Sequence, residues 1–232
     1  SDQAIARVVD RSGGNPLLIE ELALRGRGST SLARALLRQL DNLDADERQA
    51  VELLAVAGRP LPRDAIGRTG QRLIELGLVR EEGEQITTRH ALIAEAVVDG
   101  LGDDVKRDHH GRLAGILTDP TEQARHFAAS GDRTAATEVA MAALATTTEP
   151  RVRAALLAVA AETSDGPEEP TLRVRAAQAL WAIGDPAGAI RLLRDPITGP
   201  DELKALGSSI LATSLEEDGR SGEAWAEIEL AR

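Results

Sequence analysis

Apolar positions recur with a period of about 3.6 residues over most of the chain, and that spacing predicts one helix after another. Residues 2–10 read as a helix with Ile5, Val8 and Val9 on its inner face. Ser12-Gly13-Gly14-Asn15-Pro16 interrupts it. Pro16 then suits the first turn of the next helix, where a missing N–H costs nothing, and Gly26-Arg27-Gly28 closes that helix. Leu32, Leu36 and Leu40 recur every four residues and share one face. Asp44 followed by Glu47 three residues on is the signature of a capping box. The helix it opens carries Val51, Leu54 and Ala55 inward, and Gly58-Arg59-Pro60 stops it. Short helical turns follow at residues 64–66 and 69–76.

The period then shortens. Residues 78–80 and 85–88 are brief extended runs, and Gly83 among glutamates supplies the turn of a hairpin. A longer helix starts near His90, with Leu92, Ile93, Ala96, Val97 and Leu101 along one side. Helices followed by a hairpin, in this order and at this size, predict a winged-helix module.

From Asp103 onward the pattern is helical, punctuated by Gly, Pro and Asp. Gly184-Asp185-Pro186-Ala187-Gly188-Ala189 is echoed by Gly219-Arg220-Ser221-Gly222-Glu223-Ala224, 35 residues later. That offset is close to the tetratricopeptide period of about 34. A third copy of the turn, at Gly131-Asp132, precedes Gly184 by 53 residues, so the repeat is irregular. The expected fold is therefore mainly α: a winged helix with a small β-hairpin, then a tetratricopeptide-like array of helix pairs. A plain Ala/Leu bundle is the alternative. Self-association is expected where an array that begins and stops inside helical patterns leaves an apolar face uncovered.

Composition sharpens this. Aromatic residues make up 1% of the chain: Phe127, Trp181 and Trp225, with no Tyr. Ala and Leu must build the core, which favours closely spaced helices over a sheet sandwich. The net charge of −11 repels nucleic acid, so DNA contact would need a local basic patch. There is no Cys, hence no disulfide, thiolate metal site or thiol nucleophile. No apolar run is long enough to cross a membrane, and no secretory leader is present. The expected location is cytoplasmic.

Catalytic motifs are absent. A P-loop needs a Lys after Gly to reach the outer phosphates, and neither Lys106 nor Lys204 follows a glycine. Gly26-Arg27-Gly28 follows no strand, so a dinucleotide loop fails too. Asp108, His109, His110 and His126 lack the i, i+3 or i, i+4 pairing of helical metal sites, so no metal is expected.

Taken together, these marks carry a family resemblance. Ser12 to Leu22 (SGGNPLLIEEL) resembles the closing segment of the ATPase module in large ATP-binding regulators of the LuxR type, members of the STAND class of signal-transducing NTPases. The runs SLARALL from Ser31, AVAGRPL from Ala55, LIELGLV from Leu73 and above all RHALIAEAV from Arg89 look like that family's winged helix. HGRLA from His110 and ARHFAASGD from Ala124 continue the likeness into the helical repeats. It covers about residues 1–147, in order.

The resemblance implies three parts: residues 1–30 as the end of an ATPase helical lid, residues 31–104 as a winged helix, and residues 105–232 as the start of tetratricopeptide-like repeats. It implies an internal piece of a slow regulatory ATPase that is itself no enzyme. The family's nucleotide-gripping part and its DNA-binding helix-turn-helix are missing from this sequence. Gly14 and Pro16 would lie beside adenine, and Arg89 and His90 near the phosphates, of ATP or ADP with Mg held by the intact protein. The expected partners are the ATPase core of the same polypeptide and a small-molecule or protein inducer on the repeats, with a homo-oligomer allowed. Direct DNA binding is not expected, because Glu81, Glu82 and Glu84 sit at the wing tip. Rival readings are a DNA-binding winged-helix regulator with a helical effector domain and a stand-alone repeat scaffold.

Overall fold

The computed structural model describes residue 40 and residues 42–230. The predicted helices before Leu40, together with Gly14 and Pro16, lie outside the described residues. The chain divides into two compact units, residues 1–113 and 114–232.

In the first unit, α1 (Ala45–Ala57) starts at the expected capping box. The Asp44 carboxylate accepts the Glu47 N–H at 2.8 Å, and the Glu47 carboxylate accepts the Asp44 N–H at 3.0 Å. Two of the amides left unpaired at a helix start are satisfied in this way. The helix ends at Gly58, in the left-handed region at φ +63°. A two-residue strand, β1 (Leu61–Pro62), leads into 3-10 turns over Arg63–Thr69 and a short helix α2 (Gly70–Glu75). The hairpin pairs β2 (Val79–Glu82) with β3 (Gln85–Thr88). Gly83, at φ +65°, occupies the first position of its two-residue loop, where a hairpin turn selects glycine.

The sheet has three strands in the order β1-β3-β2, all antiparallel. The hairpin was legible in the sequence and β1 was not. It is too short to show alternation, and Pro62, which lacks an N–H, fits only because β1 lies at the sheet edge. α3 (Ala91–Gly100) follows and packs on α1, and α4 (Asp103–Ile116) comes next. Leu53, Leu61, Leu73, Ile86 and Ile93 are at most 1% exposed and form the centre of this unit's core.

The second unit is a helical-repeat array: α5 (Pro120–Ser130), α6 (Arg133–Leu144), α7 (Pro150–Thr163), α8 (Glu169–Ala182), α9 (Pro186–Leu193), α10 (Asp201–Glu217) and α11 (Ser221–Leu230). Each helix packs on the next. The three echoed turns share one geometry. Gly131, Gly184 and Gly219 have φ of 90°, 82° and 81°. Each glycine N–H bonds the carbonyl three residues back, and the following N–H bonds the carbonyl five back. That is a Schellman stop, which needs a residue free to adopt positive φ. Five residues after each glycine an alanine is buried: Ala136, Ala189 and Ala224. Asp132 and Asp185 then cap the next helix by accepting the Ala135 and Gly188 amides. The longer 53-residue offset is accounted for by an extra helix, α7, which has no left-handed glycine stop on either side. The core is built from alanines at 0% exposure (Ala124, Ala140, Ala154, Ala160, Ala176 and Ala177 among them) with Leu156, Leu172 and Val174 between.

Candidate functional site

The junction between β3 and α3 carries two of the four residues singled out from the sequence, Arg89 and His90. β3 ends at Thr88, and the Arg89 N–H bonds the Leu78 carbonyl at 2.9 Å, fixing the backbone that leaves the sheet. The tip of the Arg89 side chain lies over Gly77, where a Cβ would stand 3.3 Å from Nη1. His90 is the N-cap residue of α3, with extended backbone at φ −136° and ψ 138°. Its imidazole does not cap the helix, and the first turn contains no acidic residue. Neither His90 nor a first-turn carboxylate therefore offsets the positive end of the α3 dipole.

His90 is partly exposed, and its pKa lies below the ordinary 6.5. Burial is the main cause, followed by the positive charges of Arg89 and Arg80. Three cationic or basic side chains thus gather at one helix start. An imidazole held neutral beside two guanidinium groups would gain a proton readily once an anion arrived, because the anion offsets the repulsion that lowered its pKa. Backbone N–H groups, a guanidinium and an imidazole form a donor set suited to a phosphate. Gly14 and Pro16 belong to the residues not described, so the structure brings together only Arg89 and His90 of the four.

At the hairpin tip, Glu81 pairs with Arg63 and Glu82 with Arg80, each at 2.6 Å. Two of the three glutamates expected to repel DNA are therefore matched by arginines.

A second polar pair was invisible in the sequence. His109, 3% exposed on α4, lies 3.0 Å through Nε2 from the Glu52 carboxylate of α1. Its Nδ1 is buried without a hydrogen-bond partner. The two residues are 57 positions apart, so no local spacing could announce them. They line a crevice with Asp46, Asp104 and Asp108. Among the described residues no group of three or more His, Asp or Glu side chains comes together to hold a metal, and no helix is long and apolar enough to cross a membrane.

No family model matches the chain. No curated protein matches it either. Among solved structures, the chain is similar to the crystal structure of a Signal Transduction ATPase with Numerous Domains (STAND) protein with a tetratricopeptide repeat sensor from Pyrococcus horikoshii. The identity is 16% and the TM-score 0.49, with 100% of this chain and 38% of that chain covered.

Proposed function

We propose that this chain is the regulatory segment of a STAND-class, ATP-dependent transcriptional regulator of the LuxR type, and that it couples signal or partner binding to nucleotide state. The observation that carries the reading is the α3 N-terminus, whose N-cap residue His90 makes no side-chain cap and has Arg89 and Arg80 beside it. The ordered sequence marks from Ser12 to Asp132 support it. The first unit acts as a winged-helix lever whose His90 and Arg89 contact the phosphates of ADP or ATP, while Gly14 and Pro16 pack beside the base. Bound Mg and the phosphate-gripping loop belong to the remainder of the polypeptide, and the chain by itself turns over no ATP. The helical array receives an inducer, a small molecule or a protein, and its binding biases a two-state equilibrium. The setting is the cytoplasm.

The test uses the full-length protein. Replacing His90 with Ala removes one charge-assisted hydrogen bond, worth about 1.5–3 kcal/mol. ADP should therefore dissociate about tenfold more readily or beyond, and inducer-free activity should rise. Unchanged ADP retention would remove His90 from the mechanism. A DNA-binding winged helix is the rival reading, opposed by the commitment of Arg63 and Arg80 to Glu81 and Glu82. A salt-sensitive gel shift with this chain would favour that reading over the first.

A further inference from the structure

A cavity of about 450 Å³ lies in the second unit, where the end of α9, residues 194–200 and α10 meet. Small-molecule sites have volumes of this order. Every wall except Glu227 comes from residues 193–211, ahead of α11. The backbone of this wall is held from behind. Arg173 of α8 donates through Nε to the Leu192 carbonyl at 2.8 Å and through Nη2 to the Asp195 carbonyl at 2.5 Å. The stretch that carries Arg194 is thus clamped on both sides. Gly207 lets α10 come close to the connecting segment, since an added Cβ there would stand 3.0 Å from Ile197 Cγ1. Leu193, Pro196, Ile197 and Leu211 supply the apolar lining. Most of the polar lining is committed internally. Lys204 pairs with Asp201 at 3.0 Å, and Glu227 accepts the Ser208 hydroxyl at 2.8 Å. Arg194 is the exception: among the described residues its guanidinium has no hydrogen bond or ion pair.

We infer that this cavity is a binding site for a small monocarboxylate with an apolar body, whose carboxylate pairs with Arg194. A guanidinium fork matches a carboxylate through two parallel hydrogen bonds. A phosphate monoester fits the fork as well, but it carries close to two negative charges. Asp201 and Glu227 line the same cavity and oppose that second charge, so a single charge suits the site better. A cation finds the opposite: the carboxylates are already engaged, and Arg194 repels it. The apolar residues then decide the rest of the ligand, because they offer a hydrocarbon a place out of water and offer a polar body no partners. The inference deepens the reading of the array as the receiver of an inducer and rests on that reading for its consequence, while the binding itself rests on residues of the second unit alone.

The experiment is calorimetric titration of octanoate into this chain and into the full-length protein. Octanoate should bind both saturably, at one site, with a Kd below about 1 mM. Octanamide keeps the hydrocarbon and lacks the charge, and should bind at least about tenfold more weakly. Arg194→Ala should weaken octanoate by a similar factor and keep the circular dichroism of the wild type, because the side chain it removes bonds nothing in the fold. Arg175→Ala, at an exposed arginine of α8, should leave binding unchanged. The absence of saturable binding, or equal affinity for octanoate and octanamide, overturns the proposal. So does octanoate affinity that survives Arg194→Ala, or octyl phosphate that binds more tightly than octanoate. Binding seen with this chain and lost in the full-length protein overturns it too, since other residues would then fill the cavity. Saturable binding that leaves ADP retention in the full-length protein unchanged upholds the site and overturns its link to nucleotide state.

Discussion

His90 and His110 both have imidazoles whose pKa lies below 6.5, in each case mainly through burial, with the Arg89 and Arg80 charges adding for His90 and the His109 charge for His110. The sign of the linkage follows. The unfolded chain binds protons at these sites at a higher pH than the folded one, so stability is full above the unfolded value and is lost as pH falls through 6.5. Urea midpoints should therefore drop between about pH 7 and about pH 5, and His90→Ala with His110→Ala should flatten the drop. Phosphate added near the lower end should recover stability in wild type and not in His90→Ala, if the α3 N-terminus binds anions. Two buried polar groups give opposite mutational signs. The Ser214 hydroxyl is fully buried and bonds nothing. Removing an unsatisfied group costs little, so Ser214→Ala should be neutral or stabilising by up to about 1 kcal/mol. Glu52→Ala leaves the buried His109 with no partner on either ring nitrogen and should cost about 2 kcal/mol. Urea titration of both variants checks the pair.

The glycines separate two roles that sequence alone cannot rank. Gly184 stops α8 at φ +82°, and alanine there forces a conformation that an L side chain avoids. Gly184→Ala should cost about 1 kcal/mol. Gly222 lies inside α11 with open space around the position of an added Cβ. Gly222→Ala should gain up to about 1 kcal/mol through helix propensity. Thermal melts that shift the same way for both would refute this account of the turns. The contrast also explains which parts of the fold were readable. The Asp44 box, the Gly83 hairpin and the three Schellman turns are set by residues within five or six positions of each other, and each was legible. β1 was not, because two residues show no alternation and its pairing to β3 is a long-range contact. The Glu52–His109 pair was missed for the same reason. Arg89 and His90 were singled out through a resemblance in their flanking run, while the effect of Arg80 on His90 emerged only when the hairpin brought it close.

At the scale of the molecule, the charge of −11 is spread over two compact units. A duplex-binding surface needs several unpaired cations along one face. Arg63 and Arg80 at the hairpin are committed to Glu81 and Glu82. The chain should therefore give no salt-sensitive, sub-micromolar gel shift. It should likewise show no saturable sub-micromolar ATP binding by calorimetry, since phosphate affinity comes mainly from P-loop amides, a lysine and Mg. The distribution of aromatic residues carries a last consequence. Phe127, Trp181 and Trp225 all fall after Leu113, so the first unit holds no aromatic side chain and every indole belongs to the second. The first unit is thus optically silent in the near ultraviolet. Tryptophan emission will follow the melting of the helical array alone, while helical ellipticity follows both units. Coincident midpoints from the two signals would mean that the units unfold as one cooperative body, and separated midpoints that each melts by itself.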